Sequence, residues 1–167
     1  HHRDGFELRH FDELHLHLDD VAAAFDQPDA IVFVSRHAGE TGPLLTAHFT
    51  GNVGPAEYGG RPHALARAAP NALAEVLDAL DRHAPDGSEV GMECTHHGPT
   101  DVGAPSMFVE VGSAEAQWRD PAAAAAVARS VLDLADVAPD RDRTVVGLGG
   151  GHYAPRFERV VRETDWA

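Results

Sequence analysis

The sequence predicts an α/β fold, a three-layer sandwich built on a mixed, mostly parallel sheet. Two observations carry that expectation. Short apolar runs rich in β-branched residues alternate with longer stretches whose apolar positions recur at helical spacing, and the runs are set apart by turns of glycine, proline and aspartate.

The elements follow in order. Residues 8–18, LRHFDELHLHL, alternate apolar and polar through Leu14, Leu16 and Leu18, the pattern of a half-exposed edge strand. The run AIVFVSRH at 30–37 follows a Gln-Pro-Asp turn and is continuous enough for a buried parallel strand. GPLLTAHFTGN at 42–52 makes a further short strand closed by Gly51-Asn52. PNALAEVLDALDRHA at 70–84 has a proline at its start and Pro85 just beyond its end, and predicts an amphipathic helix. SEVGMEC (88–94) and SMFVEVG (106–112) predict strands, and 120–138 a helix opened by Asp120-Pro121. RTVVGLGGG (143–151) predicts a strand running into glycines, and APRFERVVRET (154–164) the start of a helix.

Length and charge bound the class. The 167 residues suit one domain, 1–167, large enough to bury a core without a disulfide or structural metal. Cys94 is the single cysteine, and no apolar run reaches the ~18 residues of a membrane span, so a cytoplasmic protein without a membrane partner is expected. The formal net charge is -14, and all 13 basic residues are arginine. An acidic surface without lysine fits a halophilic archaeal source, because at ~1 M salt the Debye length shrinks to roughly 3 Å and self-repulsion fades. The same screening leaves room for a nucleic-acid partner held by a few local arginines and backbone amides. The ends, HHRDGFEL and RETDWA, read as those of a fragment truncated on both sides, and the His1-His2 pair carries no functional weight.

The chemistry concentrates at three predicted strand ends: SRHAGETG, ECTHHGP and GLGGGHYAPRF. Ligands in open α/β sheets bind beyond the carboxyl ends of strands, so Arg36, His37, Glu93, His96, His97 and His152 are expected to meet in one crevice. Alternation sends Glu93, Thr95 and His97 to one face and His96 to the other, unless Gly98-Pro99 re-aims the backbone. Thr95 serves either the site or a strand-end hydrogen bond. His10, His15, His17, His63 and His83, away from such ends, are read as structural or surface histidines. Gly149, Gly150 and Gly151, followed by a helix start at Pro155, would make an anion-binding turn with Arg156 beside it, although the spacing fits neither the dinucleotide nor the P-loop fingerprint. Arg36 is either an anion clamp or a member of a structural ion pair.

Four blocks in order, SRHAGETG (35–42), LTAHFTGN (45–52), ECTHHGP (93–99) and GLGGGHYAPR (147–156), resemble the archaeal and plant type of D-aminoacyl-tRNA deacylase. The resemblance covers most of the chain. It implies a fold like that of the phosphorylase and peptidyl-tRNA hydrolase group. The implied reaction is hydrolysis of the ester between a D-amino acid and the tRNA 3′ end, with the D-aminoacyl-tRNA acceptor end as partner; no protein partner is implied, and a monomer is expected. It also implies zinc, although there is no His-Glu-x-x-His helix and no paired-cysteine site. Two mechanisms stay open. In one, some of His37, His48, His97 and His152 hold a metal that activates water while Glu93 takes its proton, with His96 and Thr95 close by. In the other, Glu93 or a histidine orients water without metal, and the glycine amides bind the oxyanion. Arg36, Arg156 and residues 149–151 would hold the acceptor end. The alternatives are a peptidyl-tRNA hydrolase-like enzyme, a zinc-dependent small-molecule amidohydrolase and a non-catalytic RNA-end-binding domain.

Overall fold

The computed structural model describes residues 2, 3, 5–136, 141 and 143–167. Its strands are β1 (His2–Arg3), β2 (Phe6–Glu7), β3 (Ile31–Arg36), β4 (Leu44–His48), β5 (Gly51–Asn52), β6 (Ala64–Leu65), β7 (Glu89–Met92) and β8 (Ser106–Gly112). Its helices are α1 (Pro70–His83), α2 (Glu115–Trp118), α3 (Pro121–Leu132) and α4 (Pro155–Glu163). The four long strands form a sheet in the order β3-β8-β4-β7. The chain divides into two compact units, the first comprising 1–33, 49–69 and 95–107, the second 34–48, 70–94 and 108–167.

The second unit holds most of the buried apolar residues. β4 runs parallel to β7 and antiparallel to β8, with Thr46 opposite Glu110 and His48 opposite Phe108. The His37 amide donates to the Val111 carbonyl and the Gly39 amide to that of Ser113. Residue numbers therefore climb together, and β3 is parallel to β8. The sheet is mixed, with β3 and β8 opposed in direction to β4 and β7. Every residue of β4 and β8 is buried, and the period of two divides them into unlike faces. Leu45, Ala47, Val109 and Val111 make one face apolar. Thr46, His48 and Glu110 make the other polar, with Phe108 among them.

α1 packs on β4 and β7, with Leu73, Val76, Leu77 and Leu80 buried, and α3 and α4 pack on α1. Proline at the first position starts α1, α3 and α4, because its fixed φ suits the helix and its missing N–H is one that the first turn leaves unpaired. Asp120 caps α3 by accepting the Ala122 amide at 2.8 Å. At the end of α1, Arg82 and His83 donate to Asp133 at 3.1 and 2.9 Å, and these bonds, that of His83 foremost, hold the Asp133 carboxyl below its ordinary range. Arg141 gathers the carbonyls of Val161, Thr164 and Trp166, a cation on the last turn of α4 and the residues after it.

The first unit contains the β1/β2 and β5/β6 pairs, both antiparallel, and two 3₁₀ turns, His15–His17 and Val21–Ala24. Asp19 accepts the amides of Thr100 and Asp101, and the Asn52 side chain donates to the carbonyls of Gly59 and Arg61. Gly59, at φ +75°, lies so close to the Leu16 carbonyl that a Cβ there would approach its oxygen to 2.0 Å.

Three expectations need correction. Residues 8–18 form no strand; the apolar alternation ends in a 3₁₀ turn, and Leu8 and Leu14 stay more than half exposed. The run at 30–37 is a strand, but β3 lies at the sheet edge and Val34 is 58% exposed, so an unbroken apolar run does not by itself place a strand in the centre. Residues 144–151 form no strand, with Val146 and Leu148 85% and 88% exposed. The isolated Arg143–Trp166 bridge, with the Val145 amide on the Ala167 carbonyl, is the pairing there, and it does not extend into a ladder along the rest of the run. His1 and the last two residues of the expected 120–138 helix, Val137 and Ala138, lie outside the described residues.

Leu77→Ala, at a fully buried site, is expected to cost about 2–5 kcal/mol, and Leu148→Ala less than about 0.5 kcal/mol, measured by urea denaturation at high salt. Similar losses for both would mean that 144–151 is packed in solution.

Candidate active site

The polar face of the second unit's sheet carries the site. Glu110 comes from the middle of β8 and is 3% exposed; His48 ends β4, fully buried, its ring stacked on Phe108. His37 follows β3 and is 6% exposed. It lies so close over Gly112 that a Cβ there would come within 2.9 Å of its Cβ and Cδ2, so only glycine leaves the imidazole in place. Glu93 follows β7, 1% exposed, with its amide bonded to the Ala47 carbonyl. Beyond the glycines the chain returns alongside Glu93: the Cys94 amide donates to the His152 carbonyl, the Ala154 amide to that of Met92, and Glu93 and Tyr153 form an antiparallel bridge. That strip brings His152 and Tyr153 to the carboxylate.

Glu93 meets an imidazole on each oxygen: His37 Nδ1 lies 3.1 Å from Oε1 and His152 Nε2 2.8 Å from Oε2. Glu110 Oε2 lies 3.7 Å from His37 Nδ1 and 3.9 Å from His48 Nε2. The other nitrogen of His37, Nε2, is 2.9 Å from the Tyr153 hydroxyl. The hydrogen bond of Glu110 raises the His37 pKa above its ordinary 6.5; burial opposes it, and the charges of Glu93 and Glu110 add to the rise. Glu110 leads although Glu93 is nearer. Burial, aided by the Glu93 charge, raises the Cys94 thiol, which keeps it from acting as a ready thiolate.

The residues fit a metal ion. His37, Glu93 and His152 form one donor set and His48, Glu93 and Glu110 another, each with donor atoms within 4.8 Å of one another. Imidazole with carboxylate is a zinc-type donor combination. Glu93 belongs to both sets.

Of the residues singled out from sequence, His37, His48, Glu93 and His152 come together here. They do not meet beyond a common set of strand ends, because β3 runs opposite to β4 and β7; they meet over the face, around Glu110. Arg36 is exposed with its guanidinium 4.7 Å from the ring centre of Trp118, whose indole N–H donates to the His37 carbonyl. Gly149, Gly150 and Gly151 are exposed with open space about them, the first two at positive φ, and Arg156 is exposed in the first turn of α4. Thr95, His96 and His97 belong to the first unit. There His97, at φ 45°, has Nδ1 2.6 Å from the Gly98 carbonyl, and the carbonyls of His96 and His97 accept the Gly51 amide. Glu110 and Tyr153 were missed. A lone glutamate in the apolar run SMFVEVG was the available signal for the first, and a tyrosine beside His152 for the second.

A buried carboxylate–imidazole cluster on a mixed α/β sheet offers groups that can hold a metal ion or move a proton. The chain belongs to the D-aminoacyl-tRNA deacylase family, whose model matches residues 24–167. A protein named D-aminoacyl-tRNA deacylase from Natronomonas pharaonis is 65% identical over 163 residues, covering 98% of this chain and 37% of its own length. One of the same name from Haloarcula marismortui is 65% identical over 98% of this chain and 38% of its own. The chain therefore spans little more than a third of the length of these relatives, whose halophilic sources agree with its acidic, lysine-free composition. A crystal structure of a conserved protein of unknown function superposes with a TM-score of 0.85 at 36% identity, over 92% of this chain and 57% of that one.

In chelator-treated protein His37 is expected to titrate above 6.5, and Glu110→Gln to lower its midpoint. Its contribution to stability is fully present below the unfolded-state pKa and is lost as pH rises through the higher folded value. NMR of the imidazole signals through a pH series measures both midpoints, and equal values would remove Glu110 as the cause.

Proposed function

We propose that the protein carrying this chain is a D-aminoacyl-tRNA deacylase, which hydrolyses the ester between a D-amino acid and the tRNA 3′ end to give free tRNA and the D-amino acid. This is chirality proofreading, placed in the cytoplasm, with residues 1–167 as a catalytic domain of the phosphorylase and peptidyl-tRNA hydrolase type. One observation carries the reading: in a chain of this family, a carboxylate buried to 1% exposure engages an imidazole on each oxygen.

An aminoacyl ester is already activated, so the enzyme must place a water, accept its proton and stabilise the oxyanion. His152 supports the first two tasks: with Nε2 held by Glu93 and its side chain 44% exposed, it can present Nδ1 to a water at the site mouth. Glu93 fixes that ring and stabilises its charge as the proton arrives. His37, His48 and Glu110 hold Glu93's surroundings polar. Zinc, if bound through His37, Glu93 and His152 or through His48, Glu93 and Glu110, would supply a Lewis acid that makes bound water more acidic. Arg36, Arg156 and the amides of Gly149, Gly150 and Gly151 are assigned to the acceptor end, and Thr95, His96 and His97 to supporting roles in catalysis.

On matched D- and L-tyrosyl-tRNA at high salt, the D-substrate is expected to be cleaved and the L-substrate spared. Glu93→Gln should lower kcat/KM by about 100-fold or more, and His97→Ala should also lose activity, both remaining folded. Preferred cleavage of N-acetyl-L-aminoacyl-tRNA would make the enzyme a peptidyl-tRNA hydrolase instead. Equal turnover of a D-tyrosine methyl ester would make it a small-molecule hydrolase. Chelation followed by zinc return tests the metal: unchanged activity in metal-free protein would remove zinc from the reading.

A further inference from the structure

We propose that Tyr153 and Gly39 are positioning residues that together set the ring of His37, the first by a hydrogen bond and the second by having no side chain. The inference deepens the deacylase reading and rests on it for its kinetic consequence. His37 has both nitrogens engaged: Nδ1 lies 3.1 Å from Glu93, while Nε2 lies 2.9 Å from the Tyr153 hydroxyl. The ring planes of His37 and Tyr153 stand at 61° with centres 5.8 Å apart, and Tyr153 also meets His152 edge-on at 5.0 Å. The antiparallel bridge between Tyr153 and Glu93 fixes the tyrosine backbone to the same carboxylate residue that holds the far side of the imidazole. With Nε2 hydrogen-bonded to Tyr153 and Nδ1 in ion-pair range of Glu93, a flipped ring would give up both contacts, which favours the orientation that directs Nδ1 at Glu93 and Glu110.

Gly39 carries the independent observation. It is exposed and its φ lies outside the left-handed region, so alanine there would ordinarily be neutral or slightly stabilising. Yet its Cβ would sit 2.9 Å from His37 Nε2 and 3.5 Å from the Tyr153 hydroxyl, against the hydrogen bond itself. The neighbour that would have to yield is a buried ring with a partner on each nitrogen. The missing methyl group is therefore explained by the His37–Tyr153 contact and not by backbone conformation. Toward a metal the consequence is specific: with Nε2 engaged by Tyr153, His37 has Nδ1 to offer, on the side of Glu93 and His152.

The test compares Tyr153→Phe and Gly39→Ala with wild type in the full chain. In metal-free protein, long-range ¹H–¹⁵N spectra of the imidazoles should show the His37 Nε2 resonance shifted in both variants, with unchanged circular dichroism. In kinetics on D-tyrosyl-tRNA both should lose about 10–100-fold in kcat with KM within about twofold, the loss typical of removing the partner that orients a site imidazole. Zinc titration of the apo proteins should show weaker binding by a similar factor. Unchanged His37 signals in both variants would overturn the proposal, whatever the activity. Altered signals with unchanged kcat would overturn the catalytic part of it. Wild-type protein that does not cleave D-aminoacyl-tRNA would instead defeat the deacylase reading, and the spectra would still decide whether Tyr153 and Gly39 set His37.

Discussion

The site depends on two carboxylates, Glu93 and Glu110, that the fold withdraws almost completely from water. An ionised carboxylate in such a place is costly unless cations or hydrogen-bond donors face it, and a pair on one sheet face makes the cost larger. The chain answers with imidazoles, from β4 at His48, from the end of β3 at His37 and from the returning strip at His152. Imidazole is the one side chain that can either carry the balancing proton or give it up to become a metal ligand near neutral pH. The same cluster is therefore compatible with both mechanisms open from the sequence, and the shared carboxylate is Glu93 in each.

Such a face contributes little to stability, so the opposite face must supply it. Leu45, Ala47, Val109 and Val111 offer an uninterrupted apolar surface, and the buried side chains of α1 supply a matching one. The helices also have a positional role. Glu158 of α4 accepts the Met92 amide at 3.0 Å with one oxygen and bonds Arg162 at 2.8 Å with the other. Together with the Ala154 amide on the Met92 carbonyl, this ties the start of α4 to the residue preceding Glu93. His152 and Tyr153, just ahead of that helix, inherit their placement from it.

Much of this was legible in the sequence, and the failures have physical causes. The strand 106–112 and the helices at α1 and α4 appear within a residue or so of expectation, because proline starts and strong periodicity are local signals. The runs at 8–18 and 143–151 form no strand although their sequences predict one, since alternation and β-propensity report only a capacity for pairing, and a ladder requires a partner strand. His37, His48, Glu93 and His152 stand out by their types and by nearby glycines, and the fold brings them together. Their meeting place does not stand out in the same way, because strand direction is a property of topology: β3 opposes β7, and the convergence occurs over Glu110 rather than beyond a shared edge. Glu110 itself escaped notice because one charge within an apolar strand reveals its importance only when both sheet faces are known to be buried.

The arginines give the last step. In a chain of net charge -14 most carry a carboxylate: Arg82 holds Asp133, Arg119 holds Glu115, and Arg162 holds Glu158, Asp78 and Asp81. Arg36, Arg67, Arg129, Arg143 and Arg156 are exposed and in no ion pair among the described residues, and Arg36 lies against the Trp118 ring. An aromatic face orients a guanidinium without neutralising it, so its N–H groups remain available to an anion. In concentrated salt the surrounding acidic surface is screened beyond roughly 3 Å, whereas a direct guanidinium–phosphate contact is screened much less. A lysine-free acidic protein can thus meet a polyanion through a small number of unpaired arginines. Arg36 is the one of these whose backbone adjoins a member of the carboxylate–imidazole cluster, His37, and whose guanidinium lies on a ring that itself bonds the His37 carbonyl.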